Sequence, residues 1–455
     1  MKSSPTRHIA VIGLGKLGSC YSAFYADAGF EVIGVDTNAK SVAALNKGLP
    51  PVVEPRLAAY ITKNKARLSA TTNIHDAVNS ADISFVVVPT PSKKGGAFSL
   101  TYIEAVCKEI GAALREKKEY HLVSIVSTVL PGDSARVIIP TLEKASGKKC
   151  GIDFGFTYNP SLIAIGDVLH NLEKPDFLFL GANDTRSDET LRAFFAIRYP
   201  HITPERMTVE SVEVAKIALN SYITTKITFA NYLGQLCEQI PNADVRSVTD
   251  ALGKDARIGA KYFRSGLGFG GPCFPRDNEA FAEAALRYNV DLPIARAVHH
   301  ANNSMPVHIV KSFNHHLRKH HIQHVGVLGV SYKPRTTMTE GSQALAIALG
   351  LIKKKFKVTI FEPLGNSEAR KVIPQAVFAS SFKGLIHASE ALFISNPDDY
   401  FKTLPAFTAT AKKLKVIYDP WNMFTTSDFP PHVHYIVPGR PHTYARSTDT
   451  PTKNR

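Results

Sequence analysis

A glycine-rich turn near the N-terminus constrains the fold of this chain more than any other stretch. His8–Gly13 (HIAVIG) has the pattern of a short buried strand, and Gly13-Leu-Gly-Lys-Leu-Gly18 continues from it. A helical pattern and a second strand, Phe30–Val35, come next, and Asp36 ends that strand. Glycines at these three places allow a tight turn, close approach of a pyrophosphate, and close packing of helix on strand. The order predicts a Rossmann-like βαβ unit; the alternative is an ordinary tight βα turn.

Asp36 indicates which dinucleotide this unit binds. It stands where an acid accepts a hydrogen bond from a ribose hydroxyl, which favours NAD over NADP as the cofactor. The predicted cofactor-binding residues of the turn are Gly13, Gly15, Lys16, Leu17, Gly18 and Asp36.

Two later strand patterns end in threonines. Ile83–Val88 leads to Thr90, and Val123–Val126 leads to Thr128. Ligands of open α/β sheets bind at the carboxyl ends of the strands, so both threonines are candidate cofactor or substrate contacts. The alternative role for each is helix capping.

A second α/β pattern begins near His324 and continues through Lys357–Phe361 and Ala391–Ser395. Between the two α/β regions, a helical pattern from about Ser211 to Ile240 would be roughly 45 Å long at 1.5 Å per residue. The sequence therefore predicts an α/β protein with two Rossmann-like doubly wound domains, joined by a central helical region with one long helix. The predicted domains are 1–205, 206–305 and 306–440, with a disordered tail at 441–455.

A single cysteine follows a run of glycines in the stretch Gly266–Asp277 (GLGFGGPCFPRD). Glycines let the backbone approach a ligand closely, and a thiolate at Cys273 would be a nucleophile there. The alternative is a flexible loop that ends in a buried cysteine. Lys216 and Asn220 lie four residues apart on the long helix and could together stabilise an oxyanion, or they could be an ordinary solvated pair.

Composition excludes several classes of protein. The net charge is +15, but the basic residues are scattered, which suits a small anionic ligand better than nucleic acid. Five widely spaced cysteines indicate a reducing, cytoplasmic location rather than a disulfide framework. The sequence shows no signal peptide, and no apolar run is long enough to span a membrane. His316, His320 and His324 have helical spacing but no nearby acid or cysteine, so a solvated helix face is expected and no metal site.

Ten motifs, taken in order, resemble those of the nucleotide-sugar dehydrogenases, the UDP-glucose/GDP-mannose 6-dehydrogenase family, over about residues 8–425. They are Gly13–Gly18, Asn46–Pro55, Val88–Ser92, Ser127–Val129, Tyr158–Pro160, Lys216 with Asn220, Arg257–Gly259, Gly268–Cys273, Tyr332–Pro334 and Asp419–Trp421.

The resemblance implies an NAD-dependent four-electron oxidation of a nucleotide-sugar alcohol to a uronic acid, through a thiohemiacetal and a thioester on Cys273. It implies that Lys216 and Asn220 stabilise the alkoxide and oxyanion, and that Asp277 and Thr128 order the hydrolytic water. A UDP-sugar substrate, bound by the third domain, and a homodimer formed through the long helix are expected, with no nucleic-acid or membrane partner. By the same resemblance Thr90, Thr128 and Arg276 join the cofactor site, and the substrate-binding residues are Lys216, Asn220, Arg257, Tyr262, Phe263, Arg264, Ser265, Gly266, Gly270 and Lys333.

Four positions depart from the family's pattern. Ser161 and Ile165 stand where the family has glutamates, and the first of these is associated with thioester hydrolysis, so we expect Ser161 to slow that step. Glu340 replaces an arginine expected near the cofactor pyrophosphate, so either its side chain points elsewhere or the cofactor sits differently. Arg276 replaces a lysine, which keeps the charge and changes its geometry.

Two other functions fit parts of the sequence. A catalytically weakened paralogue would bind a nucleotide-sugar as a sensor or partner subunit. A two-electron β-hydroxyacid dehydrogenase would also use a helical Lys/Asn pair, but it has no use for Cys273 or for a second α/β domain.

Overall fold

The computed structural model describes residues 8–163, 166–365 and 367–441. The chain forms two compact units, one of Met1–Leu219 with Glu283–Asp291 and one of Asn220–Ala282 with Leu292–Arg455. The three-domain boundaries drawn from the sequence stay a prediction. Ile165 and most of the predicted disordered tail lie outside the described residues.

The first unit is built on an eight-stranded sheet. Its strands are β1 (His8–Ile12), β2 (Glu31–Val35), β3 (Leu68–Thr71), β4 (Ile83–Val86), β5 (Leu122–Ile125), β6 (Gly155–Tyr158), β7 (Phe179–Ala182) and β8 (Glu205–Met207). The strand order is β3-β2-β1-β4-β5-β6-β7-β8. Neighbours pair in parallel except β6 and β7, which are antiparallel.

Helices cover both faces of this sheet. They are α1 (Lys16–Asp27), α2 (Ala39–Asn46), α3 (Leu57–Lys63), α4 (Ile74–Ser80), α5 (Thr101–Glu116), α6 (Ile139–Ser146), α7 (Val168–Glu173) and α8 (Thr185–Arg198). Two apolar clusters pack on the sheet, one containing Ile9 and Val11 and the other Ala10 and Ile12 of the same strand. Central parallel strands are buried on both faces, which is why β1 is apolar at four successive positions.

The second unit contains a six-stranded parallel sheet in the order β11-β10-β9-β12-β13-β14. Its strands are β9 (His324–Leu328), β10 (Lys357–Phe361), β11 (Val377–Phe378), β12 (Ala391–Ile394), β13 (Val416–Tyr418) and β14 (His434–Ile436). The remaining helices are α9 (Val209–Cys237), α10 (Val245–Gly253), α11 (Phe274–Leu286), α12 (Pro293–Lys319), α13 (Gln343–Lys353), α14 (Ser367–Val372), α15 (Phe382–Ala388) and α16 (Leu404–Thr408). The boundary between the units falls within α9, between Leu219 and Asn220.

The predicted fold class is confirmed: both α/β sheets and the long helix are present. One local expectation is wrong. Helix α12 ends at Lys319 and His324 begins β9, so the three spaced histidines share no helix face, and His316 is buried beside Tyr418. Within the described residues, no three His, Cys, Asp or Glu side chains form a metal-binding group, and no helix is both long and apolar enough to cross a membrane.

Candidate functional site

The glycine turn of the first unit has the shape that its sequence requires. Gly13 has φ +103°, a backbone conformation that side-chain-bearing residues rarely adopt, and a Cβ there would lie 2.3 Å from the Val87 carbonyl oxygen. A Cβ at Gly18 would lie 1.7 Å from the Gly13 carbonyl oxygen. These two glycines are therefore fixed by contacts within the protein itself.

Gly15 differs from its neighbours in a way that suits a ligand. It is exposed, immediately precedes α1, and a Cβ added there would meet no atom within 4 Å. No side chain caps the first turn of α1. Because the first N–H groups of a helix lack helical partners and carry partial positive charge, this open space fits the pyrophosphate of NAD. Lys16 and Leu17, the next two predicted contacts, are half-buried in the first turn.

Asp36 closes onto the same turn. Its carboxylate accepts hydrogen bonds from the Leu14 N–H (2.6 Å) and the Asn38 N–H (2.8 Å). The first bond places the acid at the end of β2 beside the glycine turn at the end of β1. A ribose there would therefore meet a carboxylate already oriented by two backbone donors.

The two predicted strand-end loops touch each other. The Thr90 hydroxyl donates to the Thr128 carbonyl oxygen at 2.9 Å, and the Val88 N–H donates to the Ser127 hydroxyl at 2.9 Å. Thr90 is buried and Thr128 is half-buried. The structure thus brings together the two threonines that the sequence placed at the ends of separate strands.

Glu213 ties the Thr128 loop to the long helix. It is fully buried, and its carboxylate accepts from the Gly132 N–H (2.6 Å) and the Ser134 N–H (2.9 Å). Burial raises the pKa of this carboxyl group above its ordinary value, although the bonds from Ser134 and Gly132 act against that rise. Lys216 lies almost one turn farther along α9 and is also buried. The sequence reading did not find Glu213.

Helix α9 meets α11 at a pair of predicted catalytic residues. The Asn220 amide nitrogen Nδ2 donates to Asp277 Oδ2 at 2.7 Å, and the Arg276 Nε lies 3.2 Å from Asp277 Oδ1. Asp277 is only 1% exposed. Its carboxylate therefore has a charged partner on one oxygen and an amide partner on the other, as a buried acid requires. Asn278 strengthens the same helix contact by accepting from the Ser221 hydroxyl at 3.0 Å.

Cys273 immediately precedes α11. Its carbonyl oxygen accepts the Asp277 N–H at 2.8 Å, which makes it the first residue of the helical hydrogen-bond series. The residue is exposed, in contrast to the buried Cys20, Cys107 and Cys237. A helix N-terminus favours an anion, so this place suits a thiolate.

Burial makes the other cysteines poor nucleophiles. It raises the pKa of Cys107 and of Cys150 to about 12, and it raises that of Cys20 still further. None of the five cysteines, all of which lie in described parts of the chain, forms a disulfide. The cytoplasmic location inferred from cysteine use stays a prediction.

The glycines before Cys273 are packed too closely for any side chain. A Cβ on Gly270 would lie 2.4 Å from the Gly341 carbonyl oxygen, and one on Gly271 would lie 2.5 Å from the ring of Tyr332. The Gly271 N–H donates to the carbonyl oxygen of Glu340 at 3.0 Å. Glu340 thus contributes its backbone to this loop, and the residue is exposed.

The predicted substrate strip at 262–266 alternates between solvent and interior. Tyr262 and Arg264 are exposed, whereas Phe263 and Gly266 are buried. A Cβ on Gly266 would lie 2.8 Å from the indole of Trp421, so the Asp419–Trp421 motif closes directly on the strip.

One side of this strip forms the wall of a groove. The groove has an empty volume of about 390 Å³, and its lining includes Arg264, Ser265, Arg246, Thr249 and Trp421. Its wall carries an aromatic ring and charges of both signs, because Asp244 also lines it.

Two predicted substrate contacts have partners of their own in this structure. The Arg257 guanidinium forms an ion pair with Asp255 at 2.6 Å and is 89% exposed. The Lys333 ammonium lies 5.7 Å from the centre of the Tyr332 ring, beside the glycine loop. Lys226, which the sequence reading missed, holds the Arg257 loop by donating to the carbonyl oxygens of Ile258 and Gly259.

Ser161 stands in the first unit at the position where the family has a glutamate, and its hydroxyl is buried. The Ser161 Oγ is buried beside Tyr21 of α1, and the Ser161 N–H donates to the Val126 carbonyl oxygen at 3.4 Å. No acid takes its place at residue 161.

Asn231 and Asn302 also contact the loop that leads to Cys273, and the sequence reading missed both. Each is buried in the interior of a long helix. Asparagine is a poor helix former because its side chain competes for backbone hydrogen bonds. The apolar helical stretch around Asn231 therefore made that asparagine a signal, whereas Asn302 stands among polar residues (HHANNS) and gave none.

The dinucleotide turn of the first unit is that of an NAD-dependent oxidoreductase. Three family models match the chain in order. They describe the NAD binding domain, the central domain and the UDP binding domain of the UDP-glucose/GDP-mannose dehydrogenase family, at residues 7–198, 210–304 and 326–426. The chain belongs to this family.

Individual proteins that are similar over most of the chain carry names from the same family. It is 34% identical to GDP-mannose 6-dehydrogenase of Pseudomonas aeruginosa over 424 residues, which cover 89% of this chain and 95% of that protein. It is 30% identical to UDP-glucose 6-dehydrogenase of Haloferax volcanii over 400 residues, 87% of this chain and 92% of that one. Among solved structures, a UDP-glucose dehydrogenase from Pyrobaculum islandicum superposes with a TM-score of 0.80 at 29% identity, covering 92% of this chain and 98% of that one.

Proposed function

We propose that this protein oxidises the C6 primary alcohol of a nucleotide-sugar to a uronic acid, with Cys273 as the covalent nucleophile. The observation that carries the proposal is the exposed Cys273 immediately before α11, with the buried Asn220–Asp277 pair about one helical turn farther on. A sensor protein would need a nucleotide-binding surface but no such thiol.

The chemistry divides into three stages. Bound NAD supplies the oxidant: the sugar carbon loses one hydride to a first NAD, with its hydroxyl proton released to solvent, and a second hydride to a second NAD that replaces the first. After the first, the Cys273 thiolate adds to the aldehyde carbon, a carbon–sulfur bond forms, and the carbonyl oxygen becomes an oxyanion. After the second, that carbon is a thioester. Water then adds to it, the carbon–sulfur bond breaks, and the carboxylate and the thiol are released.

The residues of the chain have separate tasks in this scheme. The Lys216 ammonium and the Asn220 amide stabilise the oxygen that becomes negatively charged. Asp277 fixes the orientation of the Asn220 amide through their hydrogen bond. Gly13, Gly15, Gly18 and Asp36 hold the cofactor, with Gly15 leaving room for its pyrophosphate.

Membership of the family leaves open whether the substrate carries UDP or GDP. The family resemblance in the sequence favoured a UDP-sugar without fixing the base, whereas the identity figures favour GDP-mannose, at 34% against 30% for the UDP-glucose 6-dehydrogenase of Haloferax volcanii. GDP-mannose is therefore the first sugar to test, and UDP-glucose, UDP-galactose and UDP-N-acetylhexosamines complete the panel. NADH formation with one member of the panel, at two NADH per sugar, supports the proposal. Tight binding without NADH formation would favour the weakened, sensor-like paralogue.

A homodimer formed through α9 is part of the proposal. Tyr222, Phe229, Leu236 and Ile240 are large, apolar and between 45% and 60% exposed. At 100° per residue the first three share one face of α9, and Ile240 follows three residues after the end of that helix. An exposed apolar stripe of this kind is typical of a protein interface.

Sedimentation of a Phe229→Glu variant tests the dimer. We expect a monomer, because the new charge would be buried in the interface. Val307→Glu, at an exposed position on α12, is the matched control and should leave the wild-type mass unchanged. A monomeric wild-type protein, or a dimeric Phe229→Glu protein, contradicts this interface.

A further inference from the structure

The run Gly266–Phe269, between the substrate strip and Cys273, is a buried segment outside any helix or strand. Leu267 and Phe269 are each 5% exposed. Backbone N–H and C=O groups buried in this way need partners, and no neighbouring strand supplies them. Side chains from two helices of the same unit do so instead.

Two asparagine amides bind this run as a neighbouring strand would. Asn231 accepts from the Gly266 N–H at 2.8 Å and donates to the Leu267 carbonyl oxygen at 3.1 Å. Asn302 accepts from the Phe269 N–H at 2.8 Å and donates to the Phe269 carbonyl oxygen at 3.0 Å. Each amide thus uses both its donor and its acceptor on the loop backbone.

The residue types of the two helices and of the run Gly266–Phe269 suit these hydrogen bonds. Both asparagines are 4% exposed, and a carboxamide is the side-chain group that offers the donor and acceptor of a peptide bond. A Cβ on Gly268 would lie 2.3 Å from Asn302 Oδ1, so the loop has no side chain where the amide reaches it. Neither asparagine belongs to the motifs that identify the family site in the sequence.

We propose that Asn231 and Asn302 are positioning residues with different effects. Asn231 holds Gly266, the last residue of the substrate strip, and so sets nucleotide-sugar binding. Asn302 holds Phe269, four residues before Cys273, and so sets the placement of the thiol. The inference rests on the proposed function of this loop.

Asn231→Asp and Asn302→Asp separate the two effects. Aspartate keeps the size and the acceptor but places a second oxygen against the loop carbonyl where an N–H had donated. We expect Asn231→Asp to raise KM for the sugar about tenfold with kcat within about threefold. We expect Asn302→Asp to lower kcat about tenfold or more, and to change the rate of Cys273 alkylation by iodoacetamide by a similar factor, because small misplacements of reacting groups cost about this much.

Control variants distinguish an effect of the two asparagines on stability from an effect on substrate binding or catalysis. Asn303→Asp, next to Asn302 on α12 but exposed, should match wild type in every assay. Melting temperature reports stability, and the milder Asn231→Ser and Asn302→Ser variants replace any aspartate variant that fails to fold. If the folded variants keep the wild-type KM, kcat and alkylation rate and differ only in melting temperature, the proposal is overturned. If both variants change KM, kcat and the alkylation rate equally, the assignment of binding to Asn231 and of thiol placement to Asn302 is wrong.

Two measurements do not depend on turnover. Calorimetric binding of UDP and GDP tests Asn231, and Cys273 alkylation tests Asn302. If the wild type oxidises no sugar, the proposed function fails while these two measurements still decide the positioning roles.

Discussion

The Asn220 amide and the Asp277 carboxylate are joined by a 2.7 Å hydrogen bond between α9 and α11. The bond links a predicted oxyanion contact to the helix that begins beside Cys273. Since Asp277 is buried and also pairs with Arg276, it has no freedom to move independently of these partners. The hydrogen bond from Asn220 to this fixed carboxylate therefore sets the orientation of the Asn220 amide.

Asp277→Asn tests that relationship. Losing the charge weakens the bonds from Asn220 and Arg276, and we expect the free energy of unfolding to fall by about 1.5–3 kcal/mol. We expect kcat to fall more than tenfold, because the Asn220 amide loses its fixed orientation. Chemical denaturation and steady-state kinetics measure the two effects. Asp255→Asn, which breaks the exposed pair with Arg257, is the control for stability and should leave the melting temperature nearly unchanged.

Gly13→Ala and Gly15→Ala should separate folding from cofactor binding. Alanine at 13 meets the Val87 carbonyl oxygen at 2.3 Å in a strained backbone conformation, so we expect a clear loss of melting temperature. Alanine at 15 meets no protein atom and has φ −69°, so stability should hold while its methyl group fills the space assigned to the pyrophosphate. Calorimetry should show NAD affinity at least about tenfold weaker. Unchanged NAD affinity in Gly15→Ala would contradict this placement.

Brief alkylation near neutral pH should label one cysteine first. Cys273 is exposed at a helix start, whereas burial raises the pKa of Cys20, Cys107 and Cys150 and leaves them as thiols. Peptide mass spectrometry after a short exposure to iodoacetamide should locate the label at Cys273. Cys273→Ser should lose both the rapid label and uronate formation, and Cys150→Ser should keep both. Early labelling of another cysteine would show that exposure does not control reactivity here.

The fold was accessible from the sequence because its signals are local. The glycine turn, the apolar strands and the long helix each satisfy a periodicity within a short window, so β1, α1, β2 and α9 lie within a few residues of their predicted bounds. The weakly apolar strand β3 and the two-residue strand β11 gave no such signal and were missed. Short edge strands are defined by their neighbours rather than by their own residues.

The site was accessible only in part, for the same reason. Cys273, Thr128 and Asp36 follow from motif position. Glu213 and Asn231 do not, because each acts on backbone groups more than 30 positions away in the chain. Such contacts leave no periodic trace in a single sequence.

The buried Glu213 should give the stability of the protein a pH dependence. Burial raises its pKa in the folded state, so the folded protein binds this proton more tightly than the unfolded chain does. The contribution of this group to stability should therefore fall as pH rises from the ordinary glutamate pKa of about 4.3 through the raised folded value, and be constant above it.

Glu213→Gln removes that slope and also loses one acceptor for the two loop N–H groups. We expect the difference in unfolding free energy between wild type and Glu213→Gln to shrink as pH rises across this window. Denaturant melts at several pH values measure it, with the exposed Glu189→Gln as the charge-matched control. A difference that grows with pH would mean that the carboxylate is favoured, not opposed, by its surroundings.

The slow step of the reaction should be thioester hydrolysis. A serine stands where the family has the glutamate associated with that step, and its buried hydroxyl beside Tyr21 cannot act as a base near neutral pH. We therefore expect a sugar adduct on Cys273 at steady state, visible by intact-protein mass spectrometry with the productive sugar and NAD. Without a general base, release should also accelerate with rising pH and show no plateau near neutrality. Cys273→Ser is the control for the adduct; rapid uronate formation with no adduct would show that Ser161 does not limit turnover.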